Sequence, residues 1–368
     1  MILGVAFVWF TTHFGGGFAS GAQIYSYYVR YGIWSLFLPL FAMAYNGVFF
    51  AYCLYFARKH EVYDYRSYNN AFYGRFAPLF SNLFELLYLC VMCVAPAVAF
   101  ATGGATLSTL TGLPYLLCTF LIGAFIFVVS VFGTDLVRKV ASVLSICIIA
   151  GLLIVYVPNI IAGAGNIADT VSVMKAADLP FGKALYAAFV YGTFQLANVA
   201  VFVQHAKSFE RPEDAGKSMA LGTVLNALMM IMVVLGIMTV YQNPEMSRQS
   251  VPTLFMVQQG VGSKFMTPLI SVLIILGAVS TAVNMVAAMV KRIHGGLAKR
   301  RGNTETPGKI TRTQILAALV CCIADFLIAQ FGLLTLIQKA YSILAYLAIP
   351  VILVPYVVHM AVTRFDTK

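Results

Sequence analysis

The chain has 368 residues, of which 61% are hydrophobic and 10% charged, with a mean hydropathy of +0.87 and a formal net charge of +11. Soluble domains carry about 25% charged residues, so the composition excludes a soluble globular protein and indicates an all-α polytopic protein embedded in a lipid bilayer. In a soluble chain the basic excess would suggest a nucleic-acid partner; here its distribution gives another account, and no nucleic-acid site is expected.

A crossing helix needs about 20 apolar residues, and the hydrophobic runs supply ten. Span 1 covers 2–30 and span 2 covers 33–57, followed by a polar loop with Arg58, Lys59, Arg66 and Arg75. Span 3 is 78–102, span 4 is 113–133 after a turn with Gly112 and Pro114, and span 5 is 136–157. A loop over 158–181 leads to span 6 at 182–205 and span 7 at 215–241. Span 8 is 265–293, span 9 is 312–331 and span 10 is 334–362. The segment 249–263 is too short to cross and is expected at the surface. The N-terminus lacks the charged flank and cleavage site of a signal peptide. Because span 1 starts almost at Met1, a short cytoplasmic leader is expected ahead of it.

The loops after spans 2, 4, 6 and 8 and the C-terminal tail carry eighteen of the 24 Lys and Arg residues, Arg138, Lys139, Lys299, Arg300, Arg301, Lys309 and Lys368 among them. The opposite side has only Arg30, Lys175, Lys183, Arg248 and Lys264. The positive-inside rule then places both termini in the cytoplasm. Ten spans divide into a first repeat over 1–157, an extracellular connecting loop over 158–181, and a second repeat with a short tail over 182–368. An odd number of spans per half makes the second half inverted in the membrane.

Span 1 is interrupted by His13-Phe14-Gly15-Gly16-Gly17-Phe18-Ala19-Ser20-Gly21. Each Gly costs about 1 kcal/mol against Ala in a helix, so four in seven residues predict a broken helix. Non-helical backbone at membrane depth must be buried in protein or line a wet cavity. A break frees carbonyls at the end of the first half and amides at the start of the second, which suit a cation and an anionic group respectively. The alternative is a glycine-rich surface for close helix packing. In an inverted repeat the matching position is span 6, which reads Tyr191-Gly192-Thr193-Phe194-Gln195-Leu196-Ala197-Asn198 at mid-depth. That coincidence predicts a second discontinuous helix there.

Three charges lie inside spans: Glu85, Asp325 and Lys339. A charge at the bilayer centre costs about 3 kcal/mol or more, so each is a coupling or structural candidate. Asp325 and Lys339 flank Gly332 at equal distance, and an ion pair between them is expected. Glu85 has no evident sequence partner, which makes it a proton-site or gate candidate unless Arg138 or Lys139 reaches it. His13 could titrate near neutrality. The seven cysteines fall mostly in apolar runs, and the Cys90-Val91-Met92-Cys93 pair lacks a second pair of metal ligands, so they read as small buried hydrophobes. Phe14, Phe18, Tyr88, Tyr191 and Phe194 could close over a solute. No nucleophile elbow, HExxH or similar signature is present, and the chain is read as a non-enzyme.

Gly17-Phe18-Ala19-Ser20-Gly21, followed by Gln23 and an aromatic-rich half-helix, resembles the signature of the YkvI-type bacterial membrane proteins, amino-acid permeases related to the amino acid–polyamine–organocation transporters. Where that pattern has Gln-Glu, this chain has Ala22-Gln23, so no role needing a carboxylate is carried over. The resemblance implies a bacterial inner-membrane protein of LeuT-type fold, with helices 1 and 6 unwound in a bundle and spans 3 and 8 in a scaffold. It also implies sodium held between His13 and Gly16 main-chain oxygens and Gly277, Ser280 and Thr281 of span 8. The small-molecule substrate, an amino acid or similar solute, would contact Gly15, Gly16, Gly17, Phe18, Ala19, Ser20, Gly21, Tyr88, Tyr191, Gly192, Thr193, Phe194, Gln195 and Asn198. Proton coupling through Glu85 or His13, and a non-transporting sensor or channel, are the alternatives.

Overall fold

In lipid the backbone finds partners only within itself, so long apolar runs become helices. The chain is an all-α, multi-pass membrane protein. Residues 1–132, 134–301 and 311–366 are described by the computed structural model, 134–142 and 295–301 as backbone alone. Among them nine helices are long and apolar enough to cross a bilayer, and they fall on spans 2 to 10. Span 1 contributes the shorter helix Ile2–His13. Leu86, Leu116, Phe120, Ile323, Leu327 and Val358 are exposed on the outside, an apolar surface suited to hydrocarbon.

The spans pack as two groups. In one, span 2 (Leu38–Lys59) lies along span 7 (Asp214–Met238) and span 6 (Phe181–Ser208), while Ile2–His13 lies along span 7. Small residues permit this closeness: a Cβ on Gly47 would stand 2.2 Å from Thr223 Oγ1, and one on Gly222 2.4 Å from the Trp9 ring. In the other, span 3 (Ala77–Thr111), span 4 (Tyr115–Phe132), span 8 (Ser263–Arg301) and span 9 (Arg312–Ala329) contact one another. Span 5 (Thr134–Ala162) leans on span 8, and span 10 (Leu333–Thr363) on spans 6 and 3.

Span 1 is broken as expected. Helix geometry ends at Phe14 (φ −86°, ψ 41°), a short turn covers Gly16–Ala19, and the chain restarts as Ala22–Tyr27 after Gly21 at φ 77°. Span 6, expected to be discontinuous, stays in one piece. It tightens to a 3₁₀ turn over Leu196–Asn198 without leaving helical φ/ψ. One glycine, against four in span 1, is too weak a perturbation to unwind it.

Two connections also differ from expectation. The loop 158–181 contains a helix, Ala164–Ala176. The segment 249–263 is at the surface only in part: Gln258, Gln259, Val261 and Gly262 are exposed, but Pro252–Gln259 is a helix whose residues Pro252 to Val257 are all buried. Five of those six residues are apolar, and a helix too short to cross buries them by inserting between spans. The Thr253 amide donates to the Ser20 carbonyl (3.0 Å), and the Tyr156 and Thr253 hydroxyls meet at 2.6 Å.

Span 10 departs from α geometry twice, with π-helical turns at Leu336–Ala340 and Ile349–Leu353. A π turn misaligns carbonyls from their α-helical donors, and in each a buried tyrosine supplies a donor. Tyr27 O–H reaches Ile337 O at 2.7 Å and Tyr73 O–H reaches Val351 O at 2.8 Å.

Candidate functional site

The break in span 1 is enclosed by four other spans. A Cβ on Gly15 would lie 3.0 Å from Thr281 Oγ1 of span 8. One on Gly17 would lie 3.1 Å from Gln23 Nε2, 3.6 Å from Val98 and 4.0 Å from Thr102 Oγ1 of span 3. The glycines let the backbone approach groups that any side chain would displace. Ser20 caps the restart: its hydroxyl donates to Gly17 O (2.7 Å) and accepts from the Ala22 amide (3.3 Å).

A buried polar chain runs through His13. The Asn226 amide of span 7 donates from Nδ2 to Gly222 O (2.8 Å), which turns its Oδ1 toward His13 Nδ1 at 2.7 Å. Nδ1 therefore carries a proton, assigned from this network. Nε2 meets the Tyr191 hydroxyl at 2.5 Å, and that hydroxyl also faces Gln23 Oε1 at 3.4 Å. Spans 7, 1 and 6 are thus joined by one line of polar groups ending beside Gly17.

Aromatic rings fill the remaining wall. Phe14 and Phe18 stand 3.9 Å apart, with Phe18 5.2 Å from the His13 ring. Tyr191 packs on Tyr27, Tyr28 and Phe194, each at 5.3 Å, and Phe194 stacks on Tyr341 of span 10 at 4.4 Å. The Tyr28 hydroxyl and Ser26 Oγ are buried and lack a hydrogen-bond partner among the described residues, leaving polar capacity within the bundle.

Of the residues proposed from the sequence, Gly15, Gly17, Phe18, Ser20, Tyr191 and Phe194 gather around the break. Gln195 is buried nearby and accepts from Asn198 Nδ2 at 2.8 Å. Thr193 and Gly192 turn away. Thr193 Oγ1 bonds Phe189 O (2.7 Å) and meets Tyr45 O–H of span 2 (3.2 Å), and a Cβ on Gly192 would strike the Tyr45 ring at 2.6 Å. Tyr88 also lies elsewhere: its ring stands 5.3 Å from the Arg292 guanidinium, beside Tyr65. On span 8, Thr281 donates to Gly277 O at 2.9 Å, and Ser280 is half-buried.

The intramembrane charges resolve differently from expectation. Glu85 pairs with Arg292 and accepts from Tyr65 O–H at 2.6 Å. Arg138 and Lys139, proposed as its partners, have side chains outside the described residues, as do Lys299, Arg300, Arg301, Lys309 and Lys368. Asp325 and Lys339 form no ion pair with each other among the described residues. Asp325 is 4% exposed, among Cys93, Cys321 and Cys322. The seven cysteines are unpaired, and Cys93 and Cys147 are exposed instead of buried.

Gln23, Tyr27, Thr102, Asn226 and Tyr341 were given no role from the sequence. A lone Asn in the apolar run of span 7 was the one available signal.

No protein-family model and no curated protein matches the chain. Among solved structures, MHP1 is similar; it is a nucleobase-cation-symport-1 family transporter, solved in a closed conformation with bromovinylhydantoin bound. The similarity has a TM-score of 0.49 and 16% identity, and covers 99% of this chain and 78% of that one.

Proposed function

We propose that the chain is a secondary active transporter for a small amino acid or related organic solute, coupled to sodium and working by alternating access. The observation that carries this reading is the broken span 1, with Phe14, Phe18 and Ser20 buried and the break set against Thr102 of span 3, Tyr191 of span 6 and Thr281 of span 8. Backbone amides at Gly15–Gly17 suit a carboxylate, and the carbonyl end of Ile2–His13 beside Thr281 suits a monovalent cation. The neighbour pattern supports a 5+5 inverted repeat over 1–157 and 182–368. Exchanging each span with the one five later maps contact 1·7 onto 6·2, 3·4 onto 8·9, 3·9 onto 8·4 and 5·8 onto 10·3. The contact 6·10 has no equally close counterpart between spans 1 and 5.

The test is thermal unfolding of the purified protein with amino acids in sodium, lithium or potassium salts, since a ligand of the folded state raises stability by mass action. A sodium-dependent amino-acid shift is expected, lost in Ser280→Ala with Thr281→Val. Millimolar sodium affinity corresponds to about 4 kcal/mol, so losing a ligand oxygen suffices to empty the site. If solute shifts are equal in all three salts, sodium coupling is wrong.

A second reading rests on His13. When Nε2 is unprotonated, Tyr191 O–H donates to it; when Nε2 is protonated, it donates to Tyr191 and the phenol proton turns to Gln23 Oε1. This would couple a proton to the residue beside Gly17. Uptake into vesicles that follows a proton gradient and ignores sodium would favour it.

A further inference from the structure

Away from the break, a cavity of about 590 Å³ lies between the end of span 5, the Ala164–Ala176 helix, the end of span 7 and the end of the Pro252–Gln259 helix. We propose that it binds a hydroxylated organic ammonium ion, at a site separate from the span 1 break. The inference is independent of the transport reading.

The electrostatics favour a cation. Three helices end at the cavity, at Ala162, Met238 and Gln259, and each brings the negative end of its dipole. The Ala164–Ala176 helix starts beside them, and its first amides offset part of that field. The same helix supplies Asp169, a full negative charge on the lining with no hydrogen bond or ion pair among the described residues. Among the described residues no basic side chain lines the cavity.

Its size and lining point beyond a bare ion. The volume equals roughly twenty waters at about 30 Å³ each, within the range of small-molecule sites. Asn166, Thr170, Gln242, Asn243 and Gln259 supply amides and hydroxyls. Several are already oriented: Thr170 Oγ1 donates to Met238 O (3.0 Å), Asn166 Nδ2 donates to Thr239 O (3.1 Å), and Asn243 Oδ1 accepts from the Glu245 amide (3.0 Å). These partners hold polar atoms at the wall of an open volume, an arrangement suited to a solute with several hydroxyls.

An occupant would also touch the buried helix that covers the break. Asn159 Oδ1 accepts from the Val261 amide (2.9 Å), and a Cβ on Gly260 would overlap that same oxygen at 1.7 Å. The far end of this helix is the one that bonds Ser20 O.

D-glucosamine, compared with uncharged D-glucose at matched ionic strength, tests the proposal by thermal unfolding of the full chain. Half-saturating stabilisation should occur at concentrations tenfold lower for glucosamine. Asp169→Asn, an exposed position, should remove that difference, and Gln242→Glu should enlarge it. Gly17→Leu and, if that variant does not fold, Tyr191→Phe should leave it unchanged. Equal effects of the two sugars, no stabilisation by either, an unchanged difference in Asp169→Asn, or its loss in Gly17→Leu and Tyr191→Phe would overturn the assignment.

Discussion

The Tyr27 hydroxyl donates to the Ile337 carbonyl across 2.7 Å, joining the restarted half of span 1 to a π turn 310 residues later. Tyr73 makes the equivalent bond to Val351 in the second π turn. Each phenol satisfies an acceptor that span 10 has put out of register. Tyr27→Phe and Tyr73→Phe should each lower stability by about 1–2 kcal/mol, the cost of a buried acceptor left bare. The sites are separate, so the losses should add in the double variant, measured by denaturant unfolding in detergent.

Gly17 has no room for a large side chain, with Gln23 Nε2 and Val98 within 3.6 Å of its missing Cβ. Gly17→Leu should abolish solute binding while the protein still inserts and remains monodisperse, and Gly17→Ala should weaken binding by a smaller factor. Ligand-induced thermal shifts measure both. Normal binding in the Leu variant would remove the break from the site.

Glu85, Arg292 and Tyr65 tie span 3 to the end of span 8. Both charged side chains are about one-third exposed or less, so the pair is partly screened. Glu85→Gln and Arg292→Gln should each cost roughly 1–2 kcal/mol, and a double-mutant cycle should return a coupling energy near the single losses. Uptake by Glu85→Gln should keep its ion dependence. Loss of proton-driven uptake at unchanged stability would instead assign the carboxylate a coupling role.

Asp325 and Lys339 are not partners, so their substitutions should act independently. Asp325→Asn removes a desolvated carboxylate and should leave stability unchanged or raise it. The Asp325→Asn, Lys339→Gln cycle should give a coupling energy within about 0.5 kcal/mol of zero. A double variant more stable than the sum of the singles would restore the ion pair.

The sequence conveyed the helical spans and the span 1 break because both rest on strong local signals: long apolar runs and clustered glycines. Thr281 entered through the family resemblance, and a Cβ on Gly15 would lie 3.0 Å from its hydroxyl. Four features were not legible. The pairing of Asp325 with Lys339 was drawn from their equal distance to Gly332, which sets depth and not the direction each side chain faces, and Lys339 sits inside a π turn that shifts that direction. Tyr88 was placed at the site because phase along span 3 cannot be read where apolar residues surround the helix. Thr193 shares its helix with Tyr191, but two positions on, so it faces span 2. His13 was named, but its partners lie 178 and 213 residues away, where no sequence period reaches.

The short Pro252–Gln259 helix has consequences for the order in which the molecule folds. Its seat is built from Ser20 and Gly21 of span 1 and Tyr156 of span 5, all made long before it in the chain. An eight-residue helix is marginal alone; it packs on its sequence neighbours, spans 7 and 8, while its bonds to Ser20 and Tyr156 close long loops. Its full seat exists once spans 1 and 5 stand beside spans 7 and 8. A helix of eight residues has few internal hydrogen bonds, so its amides should exchange with solvent before those of the long spans it rests on. The bond that ties this helix to the span 1 break is thus among the late ones to form, since it joins residues more than 200 positions apart.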